Sequence, residues 1–454
     1  MMKFSELRSG LQRKMMAGMA EHIARLSWQA DTIRAHQRTA LRQLAAHAKA
    51  HSPFYGARFA RVDPATLELD DLRNIPSITK HEMMQEFDNL LTDRRLTRAS
   101  AEAALAATTD EPRLLPGEHF VMATGGSSGE RGVFVFDGVA VVQFYSALIR
   151  WGARKAPAQN SPVRAAFVAA GSPIHATAFG AALSRGGGLP LEFTPVPATL
   201  PLDEMVAKLN ALKPDALFGY PSMLYRLAAE ADAKRLTIAP KMISCTSETL
   251  GSEQRRTISS VFGAPVTDTF GSTEGLVGVS APNDPVLVFN SDLCIIELVD
   301  DDNRPVPVGT PSTKVLLTNL SNLIQPLIRY EMNDRFVEQT SAAEHGHLRA
   351  VVEGRADELL HYNGVDVHPL AVRGVMVKTP GVLDYRVTQT PSGIDVAVLA
   401  AANVDLHKVQ HQLVEALRIA GLANPNVTLC ATESLERNAH SGKLKRFVPL
   451  SSAA

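Results

Sequence analysis

The chain has 454 residues, enough for two or three domains with ample core. It carries 46 Lys plus Arg against 47 Asp plus Glu, a near-neutral balance that argues against a nucleic-acid partner and an acidic tail. Cys245, Cys294 and Cys430 lie far apart in apolar contexts and form no CxxC pair, so they read as small core thiols in a reducing compartment, not as a disulfide framework. Lys3, Arg8, Arg13 and Lys14 are followed by no secretory-type apolar core, and no run approaches a membrane span; the expectation is a cytoplasmic protein with no membrane partner.

Residues 1–50 read as helix, since "MAEHIARLSWQADTIRAHQRTALRQLAAHAKA" has few breakers and an apolar residue every three or four positions. "HSPFYG" breaks it, and Ser77 or Thr79 caps the next helix, "SITKHEMMQEF". From about 115 to 270 the pattern alternates. Strands "HFVMAT", "VRAAFVAA", "LEFTPVP", "DALFGY", "KMISCTS" and "PVTDTFG" take turns with helices "VAVVQFYSALIRWGARK", "ATAFGAALSR", "LDEMVAKLNAL", "SMLYRLAAEADAK" and "GSEQRRTISSVFG". Such alternation predicts an α/β sheet with helices on its faces. After 275 "VLVFN", "CIIELVD" and "KVLLTNL", joined by polar turns, predict a β-rich and antiparallel part. Beyond Gly354 a small α+β unit is expected. It has helix "HPLAVRGVMVK", a hairpin of "DYRVTQT" and "IDVAVLAA" around Pro391–Gly393, an amphipathic helix with Leu406, Val409, Leu413 and Leu417 on one face, and a last strand, "NVTLCA".

Two polar stretches interrupt this apolar scheme. "TGGSSGERG", Thr124–Gly132, has four glycines in nine residues and no apolar side chain. Placed between strand "HFVMAT" and helix "VAVVQF", its uncovered N–H groups and hydroxyls either wrap an anion or form a plain surface turn. It matches neither the Walker nor the Rossmann glycine pattern. "TDTFGSTEG", Thr267–Gly275, ends a strand with an aromatic, a glycine, two hydroxyls and an acid. There Glu274 suits a divalent cation, Thr273 a phosphate and the Phe270 ring a purine; a helix start capped by Ser272 or Thr273 is the plainer alternative.

The order Thr124-Gly125-Gly126-Ser127-Ser128-Gly129, then "SETL", then Phe270-Gly271-Ser272-Thr273-Glu274, resembles the adenylate-forming superfamily of acyl-CoA synthetases and ligases. "PLIRYEMND" ending in Asp334, "GRADELLHYNGVDVHP" with Arg355, and "SGKLKR" with Lys443 follow in the same order as in that superfamily. The helical lead with "SPFYG", "GYPSMLYRLAAEA" and "TNLSNLIQPLIRY" look most like the phenylacetate-CoA ligase branch. The resemblance implies a large N-terminal nucleotide- and acyl-binding domain, 1–353 with a helical lead 1–115, and a small mobile C-terminal lid, 354–454. It implies ATP, Mg²⁺ and coenzyme A as cofactors, a small, aromatic or other carboxylic acid as substrate, and CoA or a carrier-protein thiol as acceptor.

By the same resemblance, Thr124–Gly129 hold the β- and γ-phosphates, and Thr273 and Glu274 hold the α-phosphate and Mg²⁺. Ser247 and Glu248 fall where the family lines the adenine, with Phe270 replacing its usual tyrosine. Asp334 accepts from the ribose hydroxyls and Arg355 supports that side. Lys443 is the adenylation lysine, though Lys445 and Arg446 beside it also suit a solvated basic face. Asp357 falls at the hinge, and the segment around Gly364 at the thiol tunnel. His175 either lines the acyl pocket or packs at a helix start. His407 and His411 lack the glutamate of a zinc protease, and "EHGH" at 344–347 reads as a turn. The long N-terminal helix offers a face for a homodimer.

The chain also departs from the pattern. Gly132 stands where the loop usually has a lysine, with Arg131 adjacent. Glu331-Met332-Asn333 stand where Arg-Thr-Gly is usual, and "LERNAH" replaces a proline-rich approach to Lys443. Three outcomes stay open: a carboxylate–CoA ligase; an adenylating enzyme that serves a carrier protein, an amine or a deazaflavin phenol; or a nucleotide binder without turnover.

Overall fold

The computed structural model describes residues 3–124, 131–155, 162–340, 346–355, 358–367, 369–377, 379, 381–400, 404–437 and 442–450. Its largest element is a nine-stranded sheet. Strands Leu191–Pro197, Val163–Ala169, Ala216–Gly219, Met242–Thr246 and Val266–Gly271 lie side by side in that order, all parallel. The sheet then continues antiparallel through Val277–Ser280, Leu287–Phe289, Arg349–Arg355 and Asp334–Glu338. The alternating β and α stretches expected from 115 to 270 are all present, since buried strands require crossover helices to pair in parallel.

The N-terminal helix is two helices, Phe4–Arg25 and Ala30–His51, where the periodicity predicted one. The Ser27 hydroxyl donates to the Ala24 carbonyl at 2.8 Å, and the Trp28 N–H donates to the Arg25 carbonyl at 3.1 Å. These local bonds compete with the helical ladder and close the first helix. Thr79 caps helix Lys80–Gln85 by accepting the Glu82 N–H at 3.1 Å. Strand Val133–Phe136, unanticipated from sequence, pairs antiparallel with Phe120–Ala123. The glycine-rich stretch therefore joins the two arms of a hairpin and does not lead directly from strand to helix. A three-stranded antiparallel sheet, Cys294–Val299, Lys314–Asn319 and Tyr330–Met332, completes the β-rich part.

Asn426–Ala431, Gly393–Ala400, Val382–Thr390 and Phe447–Val448 build a separate four-stranded sheet on which helices Pro369–Val377 and Leu406–Ile419 pack, preceded by a hairpin of Leu360–Tyr362 and Val365–Val367. It has its own core, including Val372, Met376, Val387, Ile394, Leu413 and Phe447. Val409, Leu413 and Leu417 are buried as the helical period requires. "NVTLCA" is not the last strand: Phe447–Val448 adds parallel to Val382–Thr390. Cys245 and Cys294 are buried, whereas Cys430 is exposed, because it sits on Asn426–Ala431 at the edge of this sheet.

A buried polar knot fastens the helical lead to the β-rich part. The Arg150 guanidinium meets the Asp292 carboxylate at 2.7 and 2.8 Å, with side-chain exposures of 1% and 0%. His347, expected in a turn, is buried here; its ring nitrogens lie 2.9 Å from the Phe289 carbonyl and 2.8 Å from the Arg25 carbonyl. Among the described residues, no helix is long and apolar enough to cross a membrane.

Candidate active site

In a parallel sheet every strand delivers its carboxyl end to the same edge, and a crevice opens where the connections diverge. Here Val163–Ala169 is flanked by Leu191–Pro197 on one side and Ala216–Gly219 on the other. Along that edge Ala170, Tyr220, Ser247 and Phe270–Glu274 line one cleft of about 730 Å³. Asp334, Arg355 and Lys443 line it too, so residues far apart in the chain converge.

The base of the glycine-rich stretch is closed by two bonds. The Thr124 N–H donates to the Gly132 carbonyl, and the Gly132 N–H donates to the Thr124 hydroxyl, each at 2.9 Å. Gly125, Gly126, Ser127, Ser128 and Gly129 lie outside the described residues. A Cβ on Gly132 would come within 2.8 Å of the Phe134 ring, which accounts for a glycine where the family pattern has a lysine. Arg131 pairs with Glu102 and thus directs its charge to the surface. Lys80 and His81, from the start of helix Lys80–Gln85, line the cleft beside Thr124; their only sequence signal was position after a cap.

Phe270 and Gly271 end strand Val266–Gly271, and Ser272–Glu274 lie in the tight turn that leads to Val277–Ser280, not at a helix start. The Ser272 N–H donates to the Leu276 carbonyl at 2.9 Å and the Gly275 N–H to the Ser272 carbonyl at 3.1 Å. Asn319 donates to the Glu274 carbonyl at 2.8 Å, and Asn290 to the Gly275 carbonyl at 3.1 Å. Thr273 and Glu274 are thereby held in the cleft wall on a pinned backbone. Gly275 has φ +109, and a Cβ there would sit 2.2 Å from Asn319 Nδ2. Gly275→Ala is expected to lower stability by about 2–4 kcal/mol, through backbone strain and the displaced amide. Urea unfolding checks this; a variant as stable as the parent contradicts it. The Phe270 ring meets Phe289 and Phe336 edge-on, at 5.8 and 5.4 Å between centroids, and so is braced at the cleft.

Ser247 holds φ +67, a left-handed conformation costly for a non-glycine residue and typical of functional sites. Asp268 lines the same cleft, and its carboxyl is pushed up to about 7 by burial, an effect Arg255 only partly offsets. Asp334 and Arg355 face each other across antiparallel strands, with Nη1 of Arg355 3.8 Å from Oδ2 of Asp334. They form an ion pair, as their spacing also allowed, but inside the cleft. Glu331, the unusual acid, accepts from Lys314 at 3.3 Å and from the Ser77 hydroxyl at 2.5 Å, so its charge is balanced.

Lys443 reaches the cleft from the far end of the chain, with Nζ 6.0 Å from the Tyr220 ring centroid. Burial pushes its ammonium pKa down and Arg355 adds to that, while Glu248, Asp334 and Glu274 oppose it. Its charge therefore lies within the field of both candidate nucleotide contacts and the candidate metal ligand. Lys445 is exposed, as a solvated face allows, whereas Arg446 is buried against Asp384 at 2.9 Å and takes no part in one. Glu248 lines the cleft, where one carboxylate oxygen accepts the Ser222 N–H at 3.2 Å and the other accepts the Leu444 N–H at 3.3 Å. His175 sits at a helix start, as one expectation had it: it precedes helix Ala176–Ser184, donates from Nδ1 to the Ala123 carbonyl at 3.1 Å, and also lines the cleft. Asp357 lies outside the described residues, and His407 and His411 are exposed.

The family profile described as AMP-binding enzyme matches residues 34–316, more than half of the chain. The phenylacetate–coenzyme A ligase of Thermus thermophilus is 25% identical over 373 residues, covering 78% of this chain and 77% of that protein. That of Aromatoleum evansii is 24% identical over 319 residues, covering 63% and 70%. Among solved structures, 2-hydroxyisobutyryl-CoA ligase in the postadenylation state superposes with a TM-score of 0.74 at 18% identity, covering 94% of this chain and 91% of that one. The same ligase in the thioesterification state gives 0.58 at 19% identity, with the same coverage. The cleft at the carboxyl edge, the turn bearing Glu274 and the match across residues 34–316 agree: the chain belongs to the AMP-binding enzyme family and is an adenylate-forming, phenylacetate–coenzyme A ligase-like member of it.

Proposed function

We propose that this enzyme is an ATP-dependent, AMP-forming carboxylate–CoA ligase acting on a small, aromatic acid. The observation that carries this is the arrival of Lys443 in the cleft that holds Thr273, Glu274, Asp334 and Arg355. A carboxylate is a poor electrophile, and its attack on ATP brings two anions together, so the site must supply positive charge between them. Lys443 is that charge. A carboxylate oxygen attacks the α-phosphorus, the bond to the β-phosphate breaks, and pyrophosphate leaves. The CoA sulfur then attacks the acyl carbon, the bond to the AMP oxygen breaks, and the thiol proton passes to solvent.

Thr273 donates to the α-phosphate, Thr124 anchors the phosphate loop, Ser247 and Phe270 border the base, and Asp334 accepts from the ribose, with Arg355 orienting it. Glu274 offers a hard oxygen ligand inside the cleft, which fits a Mg²⁺ ion held by one carboxylate and substrate phosphates; bound there, the ion would neutralise phosphate charge. The two phenylacetate–coenzyme A ligases among its relatives support the aromatic substrate. In this reading the domain division falls just after Arg355, where the large sheet ends, and not at 353. Free Cys245, Cys294 and Cys430 support a cytoplasmic setting.

Pyrophosphate release on incubation with ATP, Mg²⁺ and a panel of small acids tests the proposal, followed by CoA and detection of a thioester. Release with phenylacetate or a similar acid, then thioester, is expected. Release without thioester would move the acceptor to another nucleophile, and no release with any acid would overturn the ligase.

A further inference from the structure

"LERNAH" carries an arginine for which the sequence offered no role, and its side chain spans the two cores of the molecule. Arg437 Nη1 and Nη2 each lie 3.2 Å from the Ser222 hydroxyl, at the start of helix Pro221–Asp232. Nη2 also donates to Asp384 at 3.2 Å, on strand Val382–Thr390 of the smaller sheet. Nη1 donates to the Gly442 carbonyl at 3.1 Å and stands 3.9 Å from Glu248. All these partners are enclosed: side-chain exposures are 13% for Arg437, 7% for Glu248 and 1% for Asp384.

The geometry bears on Lys443. The residue before it, Gly442, is held by its carbonyl to Arg437, and the residue after it, Leu444, is held by its N–H to Glu248 at 3.3 Å. Gly442 itself has φ +68, and a Cβ there would come within 3.0 Å of Ala198 Cβ, so the segment seats closely on the large sheet's side. Lys443 is thus pinned on both flanks by one acid and one base that also face each other. Asp384 already has Arg446 at 2.9 Å, so the smaller core does not depend on Arg437 for that charge.

We propose that Arg437, with Glu248 as its counterpart, is a positioning residue that docks the Lys443 segment for acyl-adenylate formation. The proposal rests on the ligase reading for its kinetic consequence, but not for the dock itself. Truncating one member of an enclosed charged pair should weaken docking about 10- to 100-fold.

Two measurements on the full chain separate the possibilities. Spin labels at exposed Cys430 and at Lys208→Cys, also exposed, report the distance between the two cores. The half-reactions are followed separately, as pyrophosphate release with phenylacetate and as thioester formation from supplied phenylacetyl-adenylate. Arg437→Ala is expected to shift the distance distribution away from the docked population. It should slow pyrophosphate release about 10-fold or more while leaving thioester formation within about 2-fold. Arg437→Lys should recover part of the loss, since it keeps the charge without the fork. Should Arg437→Ala not fold, Ser222→Ala reads the same split in weaker form, because it removes the hydroxyl that Arg437 meets across the cores and leaves Arg437, Asp384 and Glu248 in place. Equal losses in both half-reactions, or an unmoved distance distribution, overturn the assignment. A shifted distribution in a protein whose parent adenylates no acid supports the dock and overturns the ligase reading instead.

Discussion

Lys443→Ala is expected to slow acyl-adenylate formation by about 10²-fold or more, the usual loss when a transition-state charge contact is removed. The effect should fall on pyrophosphate release and spare thioester formation from supplied acyl-adenylate. Lys443 lies over Tyr220 and within the field of Glu248, Asp334 and Glu274, where it can meet a developing phosphate charge. Its pKa is lowered by burial and by Arg355, so the ammonium deprotonates at a lower pH than an exposed lysine. The reaction needs the cationic form. kcat/KM for ATP, which reports groups of the free enzyme, should accordingly fall on the alkaline side below the ordinary lysine range. A Lys443→Ala enzyme with parental adenylation would remove the basis for the mechanism.

Arg150→Ala should cost about 3–5 kcal/mol of stability, because it leaves the Asp292 carboxylate enclosed without its partner. Both side chains are fully buried and joined by two short bonds. The paired substitution Arg150→Met with Asp292→Leu should recover much of that loss, since apolar groups of similar volume replace such pairs at little cost. The pair also sets an acid limb. Burial alone would raise the Asp292 pKa, but the hydrogen bonds and charge of Arg150 outweigh it and hold it below the ordinary value. A carboxylate depressed in the folded state contributes stability above its unfolded pKa of about 4. That contribution disappears as pH falls through the still lower folded value. In Arg150→Ala burial acts unopposed by that partner, so acid unfolding should begin at higher pH. Urea midpoints across pH 3–7 check both statements, and an unchanged acid limb contradicts the second.

The alternating strands and helices were legible because each has a period of its own and a length that matches it. Val133–Phe136 was not, since its four residues are all buried and show no alternation next to a glycine-rich run. The break at Ser27 was hidden for a different reason: it rests on a serine hydroxyl and a backbone turn bond, and not on a glycine or proline. Within the site, Thr273, Glu274, Asp334, Arg355 and Lys443 came together as the ordered motifs implied. The bonds Glu248 makes to the Ser222 and Leu444 N–H groups were not legible, because they join residues far apart in the chain. Arg437 was invisible, since nothing in "LERNAH" distinguishes a cation that bridges two cores from one on a solvated turn.

Phe447–Val448 is the last strand, and the Val387 N–H donates to the Arg446 carbonyl at 2.7 Å beside it. This short addition, made to a sheet whose other strands precede it in the chain, helps hold the segment that carries Lys443. During synthesis the large sheet can therefore assemble on the ribosome while the growing polypeptide is still chemically inert.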